Sequence, residues 1–286
     1  MSTIVSMSDK RSSDHPPAAL APRAPLAYQN ERFLDTPDAR VLRILAEYLE
    51  PQSRFRRENV QDTIVFFGSA RIHRPGADGD DHAHREMARY YHDARELARL
   101  LTVWAEALPS RRRRFVVTSG GGPGIMEAAN RGAQEAGGKT ICLNIRLPFE
   151  QEPNPYISPA LNFEFHYFFM RKFWFAYPAK ALVAFPGGFG TLDEVMEILT
   201  LVQTQKLNKQ IVIVLYGESY WKEIINFDAL VKWGTISPAD LNLFHFANTP
   251  EDAFRHLAAE LDRLYLKPET AAQAEEEAPA ITHTRG

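Results

Sequence analysis

The chain has 286 residues, 45% of them hydrophobic and 24% charged, with a formal net charge of −3. That is enough apolar material for a buried core, in one large domain or two small ones, and it provides no general basic face of the kind nucleic-acid binding needs. The single cysteine, Cys142, rules out an intrachain disulfide, and no apolar stretch approaches the roughly 20 residues that cross a bilayer.

Taken in chain order, residues 1–27 are rich in Ser, Pro and Ala with few large apolar side chains, the composition of a disordered arm. The stretch 28–60 reads as a helical extension. Within it Val41, Leu42, Leu45, Tyr48 and Leu49 recur at helical spacing behind a start signal at Thr36–Pro37. Residues 61–267 then alternate. Short β-branched runs at 63–69, 114–119, 140–145, 181–186 and 211–216 are apolar on both faces, as strands buried in a parallel sheet are. Amphipathic runs at 82–108, 124–136, 166–178, 191–206, 219–232 and 250–265 separate them. Residues 268–286 read as a second disordered tail. The fold class is α/β: a Rossmann-like, doubly wound parallel sheet with helices on both faces, plus the N-terminal helix. With a lone cysteine and no signal-peptide core, the expectation is a soluble cytoplasmic protein. Arg111–Arg114 reads as a solvated turn, and Cys142 as a small buried hydrophobe.

In a doubly wound sheet ligands bind at the carboxyl ends of the strands, so glycines there carry information. Three strand ends have them. Gly68 and Ser69 close the first strand; Gly120, Gly121 and Gly122 follow the second; Gly187, Gly188, Phe189 and Gly190 lead to Thr191. Glycine lets the backbone approach a ligand, and a helix start offers unpaired N–H groups with partial positive charge, so two such loops in one sheet indicate a phosphorylated ligand. Thr191 is the expected helix cap. The "GGKT" at 137–140 is not a Walker loop, since Ala133 stands where its first glycine belongs and a strand follows. The first strand lacks the dinucleotide fingerprint, so NAD is not expected. Nor is any cofactor or metal: the segment His73–His84 looks like a charged loop without zinc spacing, and no lysine has the distinctive setting pyridoxal phosphate would need.

Beyond the third loop, Glu194 falls at the edge of a core stripe formed by Leu192, Val195, Ile198, Leu199 and Val202, which places its carboxylate beside the glycines. Asp193 reads as an ordinary acid favoured by the helix dipole. Upstream, Arg171 and Lys172 interrupt a dense aromatic run, and cations so placed must reach water, an acid or a ligand.

The segments "SGGGPGIMEAANRGA", "MRK" and "PGGFGTLDE" resemble the LOG family, the cytokinin riboside 5′-monophosphate phosphoribohydrolases that also carry the label lysine decarboxylase-like. Pro186, Gly187, Gly188, Gly190, Thr191 and Glu194 fill the pattern P-G-G-x-G-T-x-x-E, and Arg171–Lys172 fill its upstream R-K, 23 residues before the glutamate. The resemblance covers about residues 60–235. It implies hydrolysis of the N-glycosidic bond of a nucleoside 5′-monophosphate (a cytokinin riboside, purine or pyrimidine nucleotide) to free base and ribose 5-phosphate. It also implies catalysis by Arg171 and Glu194, substrate contacts from Lys172, Gly188–Thr191 and Thr200, and a homodimer or higher homo-oligomer. This chain departs from plant-type members in its N-terminal helix, its long 82–108 helix, its tails and its connector before Arg171. A nucleotide sensor or carrier without turnover is the alternative, and an interaction protein using the 31–50 helix a third reading.

Overall fold

The computed structural model describes residues 23–72, 82–147, 152–207 and 209–267. Most of the expected N-terminal arm, the whole C-terminal tail, residues 73–81 of the charged loop and part of the connector before Arg171 lie outside the described residues. Contacts divide the chain into two compact units, Met1–Arg43 and Ile44–Gly286.

The first unit contains a short helix, α1 (Glu31–Leu34), and a 3-10 turn, Pro37–Ala39. Asn30, not Thr36, caps α1 by accepting the Phe33 N–H at 3.3 Å. Thr36 and Pro37 do open the next helical run, as the N-cap and first residue of the 3-10 turn that leads into the following helix, but the Thr36 hydroxyl donates back to the Phe33 carbonyl at 2.7 Å and makes no cap hydrogen bond. That helix, α2 (Arg40–Arg57), runs seven residues beyond the expected end.

The second unit begins within α2 and holds seven strands: β1 (Thr63–Phe67), β2 (Val116–Ser119), β3 (Thr140–Ile145), β4 (Asn162–Phe165), β5 (Ala179–Ala184), β6 (Val212–Tyr216) and β7 (His245–Ala247). They form one sheet in the order β4-β3-β2-β1-β5-β6-β7, every neighbouring pair parallel. The helices between them are α3 (His82–Glu106), α4 (Ile125–Glu135), α5 (Phe168–Ala176), α6 (Phe189–Gln203), α7 (Glu218–Ile224), α8 (Phe227–Lys232) and α9 (Pro250–Tyr265). The run expected as one helix at 219–232 is thus two, broken at Ile225–Asn226, where Asn226 caps α8 by accepting the Ala229 N–H.

Strand periodicity explains the two cores. Ile64 and Phe66 of β1 pack with α3, α4 and α9, while Val65 and Phe67 pack with α2, α5, α6 and α7. Helices therefore cover both faces. The edge strands β4 and β7, of four and three residues, are only partly buried and so lack the continuous apolar run that marks the central strands in the sequence. Cys142 is buried, with its thiol against Asn130, and burial pushes its pKa well up, as befits a packed hydrophobe. The arginine run is only partly solvated. Arg111 is exposed, but Arg114 pairs at 2.7 Å with the buried Asp62, because that carboxylate also accepts the Phe115 N–H and needs a counter-charge.

α2 shows a second departure. Leu45 and Leu49 of the expected stripe are exposed, whereas Tyr48, Ile44 and Phe55 pack into the core of the second unit, to which they belong. The same face carries Glu47. Its carboxylate accepts the N–H groups of His166 and Tyr167 at 2.7 and 3.3 Å, and its carbonyl accepts the Trp174 indole at 2.9 Å. Glu47 therefore caps the start of α5 from a distant part of the chain, and α5 is the helix that bears Arg171 and Lys172.

Candidate active site

The strand order locates the crevice. From β1 the chain moves one way, through β2 and β3 to β4, then returns to the opposite side of β1 as β5. Connections leaving β1 and β5 diverge there, which makes their carboxyl ends the switch point where ligands of such sheets bind. A cavity of about 740 Å³ opens at this place, lined by the loop after β1, the loop after β5, the first two turns of α6, and side chains from α5 and α7.

The β5 loop is built by close packing. Gly187 is buried, and an added Cβ would lie 2.2 Å from Thr191 Oγ1 and 3.0 Å from the Ser69 nitrogen. Any other residue would push the two loops apart. The Tyr220 hydroxyl donates to the Gly187 carbonyl at 2.7 Å and fixes that peptide's direction. Gly188, in extended backbone, is the N-cap of α6, so the expectation that Thr191 caps this helix is corrected. Gly188 and Gly190 are exposed, and Phe189 is 93% exposed. The first intrahelical bond runs from the Leu192 N–H to the Gly188 carbonyl at 3.0 Å. The amides of Phe189, Gly190 and Thr191 precede it and have no carbonyl within the helix, and the helix dipole adds partial positive charge. This end of the cavity suits an anion.

Because α6 starts two residues earlier than expected, Glu194 sits in its second turn. Its side chain lines the cavity while the residue is only 8% exposed. It accepts no hydrogen bond from any described residue. Burial pushes its carboxyl up to about 7 from the usual 4.5, and the charges of Lys172 and Arg171 hold back part of that rise.

Arg171 lines the same cavity from α5. Its Nε donates to the Leu143 carbonyl at 2.8 Å, and its guanidinium lies 5.1 Å from the Phe175 ring centre. Burial pulls its pKa below the ordinary value, and the neighbouring Glu194 charge pushes the other way. Gly120 makes room for it: a Cβ there would stand 2.6 Å from Arg171 Nη2. Lys172 does not line the cavity among the described residues. Its ammonium pairs with Asp193 at 2.8 Å and Glu197 at 2.5 Å, so it ties α5 to the helix carrying Glu194. Burial acts to lower its pKa, but those hydrogen bonds and the charge of Glu194 leave it raised.

The remaining sequence-derived residues divide. Ser69 lines the cavity, with its N–H donated to the Pro186 carbonyl and its hydroxyl accepting the Arg71 N–H. Gly120, Gly121 and Gly122 are buried and are not among the cavity's described lining; the carbonyls of Gly121 and Gly122 are taken by Asn154. Thr200 is exposed on a separate outer groove of α6, its hydroxyl donating to the Met196 carbonyl. Arg71, Tyr220 and the apolar wall of Met87, Met126, Phe168 and Ile224 were not found by sequence reasoning. They come from five different segments, and nothing local marks them. Among the described residues no three metal-ligating side chains converge, and no helix is long and apolar enough to cross a membrane.

Residues 126–257 match a protein family described as "possible lysine decarboxylase". The chain is 27% identical over 151 residues to cytokinin riboside 5′-monophosphate phosphoribohydrolase LOG5 of Arabidopsis thaliana, covering 52% of this chain and 64% of that protein. It is 26% identical over 209 residues to the probable phosphoribohydrolase LOGL2 of Oryza sativa subsp. japonica, covering 72% of this chain and 73% of the relative. A shorter match, 33% over 88 residues, covers 30% of this chain and 40% of Arabidopsis LOG7. Among solved structures, the molybdenum cofactor carrier protein of Chlamydomonas reinhardtii is 20% identical with a TM-score of 0.46, covering 70% of this chain and 98% of that one. A molybdenum cofactor binding protein from Rippkaea orientalis is 18% identical with a TM-score of 0.45, at 70% and 98% coverage.

Proposed function

We infer that this chain, related in sequence to the LOG phosphoribohydrolases, hydrolyses the N-glycosidic bond of a nucleoside 5′-monophosphate to free base and ribose 5-phosphate. One observation carries the reading: a nearly buried carboxylate, Glu194, lines a switch-point cavity that has an open helix start at one end and Arg171 in its wall.

The chemistry follows from that arrangement. Breaking the bond builds positive charge on the ribose ring, as in glycoside cleavage. The phosphate seats on the amides of Phe189, Gly190 and Thr191, and this remote binding directs C1′ toward Glu194. Ionised Glu194 stabilises the ring cation and takes a proton from the attacking water. Its raised pKa makes it a better base than an ordinary carboxylate, and requires a pH near or above 7 for ionisation. Arg171 cannot act as a general acid, since guanidinium keeps its proton in proteins; it grips the sugar or offsets charge on the departing base, whose nitrogen takes its proton from solvent water. Lys172 is a positioning residue that holds α6. The base rests on Met87, Met126, Phe168 and Ile224, an apolar wall that stacks on purines or pyrimidines without reading their edges. Cytokinin, purine and pyrimidine monophosphates are all within its reach.

The decarboxylase label fits less well. A pyridoxal Schiff base needs a free lysine in the pocket, and no lysine is among the described lining residues, Lys172 being spent on Asp193 and Glu197. The same reading takes residues 61–267 as the catalytic unit and includes a homodimer or higher assembly. Phe169 leaves exposed apolar surface on α5 for that contact, and sedimentation reads the assembly state directly.

Chromatography of a nucleoside monophosphate panel after incubation with the protein tests the proposal. Equimolar base and ribose 5-phosphate from the wild type, absent with Glu194→Gln, is the expected result. Tight nucleotide binding without base release would turn the assignment to a sensor or carrier.

A further inference from the structure

Arg71 stands four residues past the end of β1 on a loop that is held in place at several points. Its own N–H donates to Ser69 Oγ at 3.1 Å, the Ser69 N–H donates to the Pro186 carbonyl at 3.0 Å, and the following residue, Ile72, is buried. The backbone of this loop is therefore seated on the phosphate-facing loop after β5. The Arg71 side chain is the opposite case. It is exposed, lines the cavity, and makes no hydrogen bond, ion pair or ring contact with any described residue.

The other nearby cations are committed. Lys172 neutralises Asp193 and Glu197; Arg171 is anchored on the Leu143 carbonyl and packed between Gly120 and Phe175. A phosphomonoester dianion entering a cavity that already contains Glu194 meets repulsion at one end. The helix-start amides offset only part of it. A guanidinium matches phosphate oxygens bidentately and keeps its charge at every relevant pH, so an uncommitted one lining the same cavity as these amides has a defined use.

We propose that Arg71 is a phosphate-binding residue of this site, reading the dianionic charge of the substrate and setting the preference for nucleotides over nucleosides. This rests on the nucleotide hydrolysis reading above. The contact lies at the end of the substrate remote from the bond that breaks, so it acts on binding and on the placing of C1′.

Two measurements on Arg71→Gln and Arg71→Lys test it: kcat and KM for AMP and for adenosine, and calorimetric binding of ribose 5-phosphate and of ribose. Arg71→Gln should raise KM for AMP and weaken ribose 5-phosphate binding by roughly 30-fold, the size of one charge-assisted contact. It should leave adenosine turnover and ribose binding within about twofold, and Arg71→Lys should recover part of the loss, since a point charge replaces the fork. Equal losses for AMP and adenosine, or unchanged ribose 5-phosphate binding in Arg71→Gln, would overturn the assignment. The outcomes separate it from the reading it rests on. A wild type that releases no base, yet binds ribose 5-phosphate through Arg71, overturns hydrolysis alone. A wild type that cleaves AMP with Arg71→Gln unimpaired overturns the Arg71 role alone.

Discussion

The loops after β2 and β5 look alike in sequence, each a run of glycines between a buried strand and an amphipathic helix, yet the fold puts them to different uses. Gly120–Gly122 is buried, and Asn154 occupies two of its carbonyls; its glycines make space for Arg171 and Asn144. Gly188–Gly190 is exposed at the head of α6, with nothing within 4 Å of a Cβ built on either glycine. The difference comes from sheet order. β5 flanks the switch point and β2 does not, so only one loop faces the crevice. Glycine content marks a tight connection; the topology decides whether the tightness serves packing or a ligand.

The comparison predicts that substitutions at the β5 end reduce activity while those at the β2 end reduce stability. The largest effect is expected from Glu194→Gln, which should lower kcat for nucleotide hydrolysis by about 10²–10⁴-fold, the usual contribution of a positioned base. Gly187→Ala comes next. Its Cβ would meet Thr191 Oγ1 at 2.2 Å, and the shifted loop should cost roughly 100-fold in kcat/KM. Gly188→Ala is the matched case without a steric conflict inside the protein: its Cβ meets no protein atom but stands in the cavity lining, so it should raise KM for the nucleotide while leaving Tm unchanged. On the other side, Gly121→Ala forces a side chain into a φ of +77° and to 2.1 Å from Asn144 Oδ1. Thermal unfolding should record a Tm drop of roughly 3–10 °C, with kcat/KM of the folded fraction nearly unchanged. A variant at Gly121 that loses activity at full stability would break the comparison.

Smaller effects concern proton balance. Lys172 holds the Glu194 pKa down, so Lys172→Met should move the acid limb of kcat/KM from near pH 7 to higher pH, by about half a unit to one unit. Glu194 also contributes to stability with a definite sign. Its folded pKa of about 7 exceeds the usual 4.5, so the folded state binds the proton more tightly and stability falls as pH rises between those values. Glu194→Gln should therefore stabilise the protein by on the order of 3 kcal/mol at pH 8 and hardly at all at pH 4, as denaturant titrations at the two pH values would show.

How far the sequence reached can be judged from particular residues. Continuous apolar, β-branched runs marked the five central strands and period-3.6 patterns most helices, because burial on both faces leaves little freedom in composition. The edge strands β4 and β7 are only partly buried and lack the continuous apolar run that marks the equally short β2. Thr191 was expected to cap α6 by its hydroxyl, but Gly188 reaches extended backbone three residues earlier and the helix begins at Phe189. Glu194 was legible because its position relative to Val195 and Ile198 is fixed by helix geometry. Glu47 was not, since its capping of α5 spans about 120 residues of chain. Arg71 and Tyr220 belong to the same class: their roles exist only once β1, β5 and α7 are brought together.

The central claim is positional, and one structure tests it directly: the crystal structure of Glu194→Gln soaked with AMP. The account predicts the phosphate on the amides of Phe189, Gly190 and Thr191, with C1′ within about 3–4 Å of the side chain at 194. A phosphate bound at Gly120–Gly122, or a sugar turned away from residue 194, would contradict it.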